Sequence, residues 1–441
     1  MTRLRLGEVP LVLWLASALA AGCSTGMPQR APVAAGPMAP SAPAAPEVDP
    51  ATLAGKLMFG YQGWFGCPGD GSPLDTWEHW FRHGVPAAAA SLSVDMWPDV
   101  SELSDGERCT TPLLRPDGQP AQLYSAYNPR TVDRHFAWLQ EYQLPGIFLQ
   151  RFSARLDNPS VLGFRDGVAR NVRAASEAHG RVFAIMYDIS GHSRDTVVPA
   201  VKRDWARLVD TLRITDSPRY LRHHGRPVLA IWGLGFPDRA PTAEQAAELI
   251  DFFKNNPEPR YRVTLVGGIP ARWRTLGRDS NTEEAWAEVY RSFDILSPWT
   301  VGRFRDDEST DAFYRDEVAP DLAEITHLGL EYMPVVFPGF SWHNMNPTAP
   351  LDSIPRRDGR FFWHQIERAL EAGATMLYGA MFDEVDEGTA MFKIAPNQES
   401  VPAGVPLVTL DAGGDRLPSD WYLQLARQAQ QRLSAMTAKR H

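Results

Sequence analysis

The chain has 441 residues, and 44 Lys+Arg against 53 Asp+Glu leave a formal charge of −9. That acidic balance excludes a protein that works by gripping nucleic-acid phosphates. A composition 44% hydrophobic and 22% charged is globular, and three cysteines are too few for a disulfide-dense scaffold or a Cys-only zinc site.

At the N-terminus, Arg3 and Arg5 precede an apolar run over residues 9–21, broken by Pro10. A basic start and an apolar core too short to span a bilayer make an export signal. Leu19-Ala20-Ala21-Gly22-Cys23 resembles a bacterial lipobox, with Leu19 one place earlier than the usual leucine. The resemblance implies a lipoprotein-type signal peptide over residues 1–23, in which Cys23 becomes the lipid-bearing N-terminus. Ser24 in place of Asp then implies an outer-membrane anchor facing the periplasm or the cell surface. Cleavage after Ala20, releasing a soluble periplasmic protein, is the alternative. Pro28, Pro32, Pro37, Pro40, Pro43, Pro46 and Pro50 mark residues 24–50 as a semi-rigid spacer. Export permits a disulfide, so Cys67 and Cys109 either pair or remain two separate thiols.

Residues 51–441 read as one domain. Short apolar runs suited to buried parallel strands recur at residues 57–61, 146–150, 182–187, 228–232, 262–266, 293–297, 332–337 and 375–380. Helical signals lie between them. Asn128-Pro129 fits an N-cap and first helical position, and apolar stripes run through Val201, Trp205, Leu208 and Leu212, then Phe362, Ile366 and Leu370. Trp421, Leu425, Ala429 and Leu433 give a final helix. Eight strand–helix alternations predict an α/β fold, a (β/α)8 TIM barrel, with an open doubly wound sheet as the alternative. A long insertion follows the first strand over residues 62–145; it holds Trp77, His79, Trp80, Asp95 and Trp97, and the apolar run 92–96 belongs to it rather than to a ninth barrel strand.

In such a barrel the chemistry sits at the C-terminal strand ends. The tips present Tyr61 and Trp64, Gln150 and Arg151, Tyr187 and Asp188, Trp232, Trp299, and Trp342 with His343. Arg272, Trp273 and Arg303 occupy further tips. Rings that stack on sugar C–H faces, beside groups that bind hydroxyls, predict a carbohydrate cleft. The last tip is Asp383-Glu384-Val385-Asp386-Glu387-Gly388-Thr389. Glu384 and Glu387 are close enough in sequence to flank one sugar ring, and crowded like charges keep one acid protonated beside an ionised base. A solvated acidic loop is the plainer alternative.

Phe382-Asp383-Glu384-Val385-Asp386-Glu387-Gly388-Thr389 resembles the F-N-E-W-x-E-G-T signature of glycoside hydrolase family 99, the endo-α-mannosidases, related to the α-1,3-glucanases of family 71. Gly60-Tyr61-Gln62-Gly63-Trp64-Phe65 is similar to the aromatic first-strand motif of the group, and Trp77-Glu78-His79-Trp80 to its W-x-H-W element. The order of motifs is similar from about Phe59 to Lys393. The resemblance implies Glu384 as the base that takes a proton from the substrate 2-hydroxyl, and Glu387 as general acid/base. Val385 stands where the motif has Trp, and Asp386 where it usually has His.

Gly233-Leu234-Gly235-Phe236-Pro237 lacks the third glycine of a dinucleotide loop, and Gly339-Phe340-Ser341-Trp342-His343 has His343 where a nucleophile elbow needs glycine. Val385 at the third ligand position fails an EF-hand. The expectation is therefore a monomeric exported glycosidase without cofactor or metal, whose partners are an oligosaccharide or polysaccharide and, through the lipid anchor only, a membrane. A catalytically silent glycan-binding lipoprotein, and a metal-dependent hydrolase built on Asp383, Glu384, Asp386 and Glu387, are the competing readings.

Overall fold

The computed structural model describes residues 46–237 and 239–439. The signal segment, Cys23 and most of the Pro-rich spacer lie outside the described residues. No described helix is long and apolar enough to cross a membrane.

Each of the eight apolar runs forms a strand of one parallel sheet. In chain order these are β1 (Leu57–Tyr61), β4 (Gly146–Phe152), β5 (Val182–Asp188), β7 (Arg226–Trp232, which the short antiparallel β6, Arg222–His223, precedes), β8 (Thr264–Ile269), β9 (Ile295–Pro298), the broken pair β10 (Glu331–Tyr332) and β11 (Val335–Val336), and β12 (Leu377–Gly379). The seventh strand is split at Met333-Pro334 because proline has no N–H to give a ladder. Its first half pairs with β9 and its second half with β12, which in turn pairs with β1. The ring is thus closed through one interrupted strand, and the architecture is a TIM barrel.

Helices cover the outside as their apolar stripes require. The helix α1 (Pro129–Glu141) starts with the Asn128 side chain accepting from the Arg130 N–H, as the Asn-Pro signal predicts. Val201, Trp205 and Leu208 are buried on α2 (Arg194–Asp210), as are Phe362, Ile366 and Leu370 on α3 (Arg360–Glu371), and Leu425, Ala429 and Leu433 on α4 (Trp421–Ala438).

The insertion contains an element that the apolar pattern does not announce, an antiparallel hairpin of β2 (Arg108–Leu114) and β3 (Pro120–Tyr124). Its register shifts between Thr110 and Leu114, around Pro112. Residues 92–96 form no strand, only an isolated bridge between Leu92 and Phe81. Cys67 and Cys109 form a disulfide that ties the start of the insertion to this hairpin.

Candidate active site

Strand register decides which tip residues reach the barrel mouth. Successive side chains on a strand alternate between the two faces, so adjacent tip residues cannot both point inward. Gln150 is paired with Met186 on β5, and the next pair, Arg151 with Tyr187, faces the other way. The Gln150 side chain donates to the Tyr378 hydroxyl at 2.8 Å inside the ring. One layer higher, Phe152, Asp188, Trp232 and Gly268 are joined by consecutive register pairs and share the inward face. A Cβ on Gly268 would fall 2.8 Å from the Trp232 ring, so glycine makes room for that indole.

Three expected sugar contacts face the helices instead. Arg151 is buried and bonds Asp204 at 2.5 and 2.6 Å and Asp166 at 2.8 Å, while the Tyr187 hydroxyl donates to the same Asp204 at 2.7 Å. Tyr61 is buried, with its hydroxyl 2.9 Å from His135 Nδ1 on α1. These three residues hold strands to helices. Trp273, read as a further tip residue, is likewise buried, donating to Asp321 at 2.9 Å, and Arg272 pairs with Glu317 at 2.7 Å.

The inward set does converge. Trp232 lies 5.5 Å from Trp299, which lies 6.0 Å from Tyr378. On the other side of the mouth Trp64 stacks on His79 at 3.8 Å and packs against Phe152 at 4.8 Å. The Arg239 guanidinium sits 5.0 Å over the Trp232 ring.

Between these aromatic groups lies the 383–389 loop, and two buried aspartates fix it. Asp383 Oδ1 accepts the Gln62 N–H at 2.6 Å and Oδ2 the Gly63 N–H at 2.9 Å, clamping the end of β1 to the end of β12. Asp95, from the insertion, accepts from the Ser341 hydroxyl at 2.5 Å and from the His343 and Asn344 N–H groups at 2.6 and 2.7 Å. Its own N–H bonds the Val385 carbonyl at 3.0 Å. Ser341 N–H also donates to the Glu387 carbonyl at 2.9 Å, bringing the Trp342-His343 loop beside the acidic one. Trp342 is 37% exposed there, and His343 Nδ1 is 2.7 Å from the Ala349 carbonyl. Gly388 has φ +64°, and a Cβ there would meet Ser341 N at 2.8 Å, so only glycine suits this crossing.

Glu384 is buried, one carboxyl oxygen accepting from the Gln62 side-chain amide and the other from the Thr389 hydroxyl at 2.6 Å. Glu387 is only partly buried. Burial, then neighbouring carboxylates, push both acids up: Glu384 well above its usual range, and Glu387, with Asp386 and Asp188 nearby, to about 7. Two mutually repelling acids in one low-dielectric loop retain a proton near neutral pH. Four buried polar atoms at the mouth have no partner among the described residues: Gln62 Oε1, Trp64 Nε1, Trp232 Nε1 and Asp386 Oδ1. The other Asp386 oxygen is 3.6 Å from His79 Nδ1. Unpaired buried polar atoms at a barrel mouth are free to meet a polar ligand or ordered water. A groove of about 690 Å³, lined by Ser153, Arg155, Asp157, His192, Arg203 and Arg207, opens at the same end between the loops after β4 and β5.

Sequence reasoning passed over Gln62, Asp383 as a clamp, Arg239 and the His79–Asp386 pair. Gln62 was discoverable: it stands two residues after inward Gly60, so strand alternation aims it at the mouth. Both oxygens of Asp383 already accept backbone N–H groups. Among the described residues, metal-ligand atoms converge only at His223, His224 and Glu331, below the barrel. His223 Nδ1 accepts the Leu53 N–H at 3.1 Å, so its Nε2 carries the proton given to Glu331 at 2.8 Å and has no lone pair for an ion.

No protein-family model matches the chain, and no curated protein matches it. Solved structures do. The GH99 endo-alpha-mannosidase from Bacteroides thetaiotaomicron superimposes with a TM-score of 0.63 at 14% identity, covering 88% of this chain and 100% of that one. Its complex with BIS-TRIS-propane gives 0.62 with the same identity and coverage. A glycoside hydrolase-like protein gives 0.51 at 12% identity, covering 81% of this chain and 99% of the other. The chain shares the fold of these proteins from end to end of theirs.

Proposed function

We propose that this chain is a glycoside hydrolase that cleaves α-linked glycans, with Glu384 as base and Glu387 as general acid/base. The observation that carries the reading is a pair of mutually repelling acids in one loop at the barrel mouth that together retain a proton near neutral pH. Both oxygens of Glu384 accept hydrogen bonds, which oppose but do not outweigh the upward pull of burial and the neighbouring carboxylates. Glu387 reaches the partly open side of the loop with its proton retained to about pH 7. One acid able to give a proton beside one able to take it is what glycosidic cleavage requires. The orphaned indole N–H groups of Trp64 and Trp232 and the acceptors Gln62 and Asp386 suit sugar hydroxyls, and the indole faces suit sugar rings.

The sequence motif and the fold of the endo-alpha-mannosidase point to α-mannosides as the first substrates to test. In the route that the motif implies, Glu384 takes the 2-hydroxyl proton, the freed oxygen attacks the anomeric carbon, and Glu387 protonates the leaving oxygen. Glu387 then activates the water that opens the three-membered ring. We take the chain to be exported and anchored through Cys23, which the mass of the mature N-terminus reads directly.

Glu387→Gln and Glu384→Gln should each lower turnover of an α-linked mannan or glucan oligosaccharide by roughly 10²–10⁴-fold without loss of folding. The alkaline limb of kcat/KM should fall above about pH 7, where Glu387 loses its proton. Saturable glycan binding with no product released by the wild-type chain would replace this reading with that of a glycan-binding protein.

A further inference from the structure

The N-terminal ends of the strands, opposite the acidic loop, carry the molecule's other marked chemistry. A cleft of about 720 Å³ there is lined by Arg213, Arg222, Arg226, Arg260 and Arg262, with only Asp210 and Asp216 among its acids. Arg213 pairs with Asp216 at 2.6 Å and Arg260 with Asp210 at 3.1 Å. The other three have no carboxylate partner among the described residues: the Arg222 guanidinium bonds the Thr215 carbonyl at 3.3 Å, Arg262 the Asn256 carbonyl at 2.5 Å, and Arg226 is exposed. Carbonyl partners orient a guanidinium without neutralising it. A chain of formal charge −9 thus concentrates three uncompensated cations in one cleft.

The incoming chain arrives at the same place. Val48 N–H bonds the Gly180 carbonyl at 2.9 Å, Arg219 bonds the Val48 carbonyl at 3.2 Å, and the Arg222 N–H holds the Pro50 carbonyl at 2.7 Å. Arg222 therefore touches the entering segment with its backbone and lines the cleft with its side chain. Forty-five residues precede the described domain, with the lipobox-like Cys23 within them.

We propose that this arginine cleft docks on an anionic phospholipid surface. The inference rests on the reading of the chain as exported and anchored near that end. It makes the base of the barrel the membrane-facing side and turns the acidic loop toward the aqueous space where glycans lie. Juxtamembrane arginines are drawn to anionic headgroups within a screening length, and each contributes independently of any acyl chain.

The test uses the full-length chain bearing Cys23→Ser, so that no acyl chain is attached, and sedimentation with vesicles of phosphatidylglycerol/phosphatidylcholine or of phosphatidylcholine alone. Residual binding through the apolar leader is common to both vesicles, so the readout is the preference for the anionic ones. That preference should fall about fivefold per arginine removed, in Arg226→Glu and further in the Arg222→Ala/Arg226→Ala/Arg262→Ala triple variant. It should also vanish at about 1 M salt, where the screening length is ~3 Å. Arg226→Glu alters an exposed side chain with no ion pair among the described residues, so an unchanged melting curve separates lost docking from lost folding. Equal sedimentation with both vesicles, or an anionic preference that survives Arg226→Glu and salt, overturns the cleft's role. Mass spectrometry of the mature wild-type chain judges the Cys23 anchor separately: an unmodified N-terminus with preserved anionic preference would sink the anchor and leave the cleft.

Discussion

Strands β4 and β5 carry polar residues on both faces, and the two faces have opposite fates. Outward, Arg151, Tyr187, Asp166 and Asp204 form a closed network in which the guanidinium and the hydroxyl find partners on the helices. Inward, Asp188 and the nearby Gln62, Asp386 and Glu387 keep raised pKa values or atoms unpartnered among the described residues. A polar group that is fully paired stabilises the fold, and one left unpaired in a buried mouth is available to a substrate. The chemical types overlap across the faces; a one-residue step along the strand separates scaffold from chemistry.

The sharpest way to break this contrast is to cut once on each face. Glu387→Gln should cost roughly 10²–10⁴ in kcat/KM, read by product release, with no loss of melting temperature. Arg151→Met should do the reverse. It leaves Asp166 and Asp204 facing each other beneath the strands, and removal of one partner from a buried ionic network costs about 3–5 kcal/mol, read by denaturant unfolding. A drop in kcat from Arg151→Met with stability intact would return that residue to the mouth.

A smaller effect sharpens the same line. Tyr61→Phe removes only the hydrogen bond to His135. It should cost about 0.5–1.5 kcal/mol of stability and leave KM for a glycan unchanged; a raised KM would place Tyr61 in the cleft after all. The smallest concerns pH. Glu387 binds its proton more tightly folded than unfolded, so its contribution to stability is present below about pH 4 and lost as pH rises through about 7. Glu387→Gln should therefore raise the melting temperature at pH 8 by about 1–3 °C and have little effect at pH 4.

Much of the barrel is written in its apolar runs, since a strand buried on both faces needs a short unbroken apolar stretch. The seventh run hid its break because Tyr332 and Val335 read as one strand until Pro334 is asked for an N–H. The hairpin in the insertion was obscured by Pro112 within β2, although Pro116-Asp117-Gly118 is a turn signal between its strands. At the site, Glu384 and Glu387 stand out by spacing alone. Arg151, Tyr187 and Tyr61 could not be sorted from Gln150, Asp188 and Gln62 by residue type, because register belongs to the pairing and not to the residue. Asp95 was invisible as a clamp, since its partners lie some 250 positions later in the chain.

That reach gives the Cys67–Cys109 bond an influence beyond its own neighbourhood. It closes a 42-residue span that includes Asp95, and Asp95 holds both the Ser341–Asn344 turn and the carbonyl of Val385, midway between the two glutamates. Thiol reductants should consequently blunt catalysis before they melt the cylinder, by slackening a strap whose far end rests on the proton-handling groups.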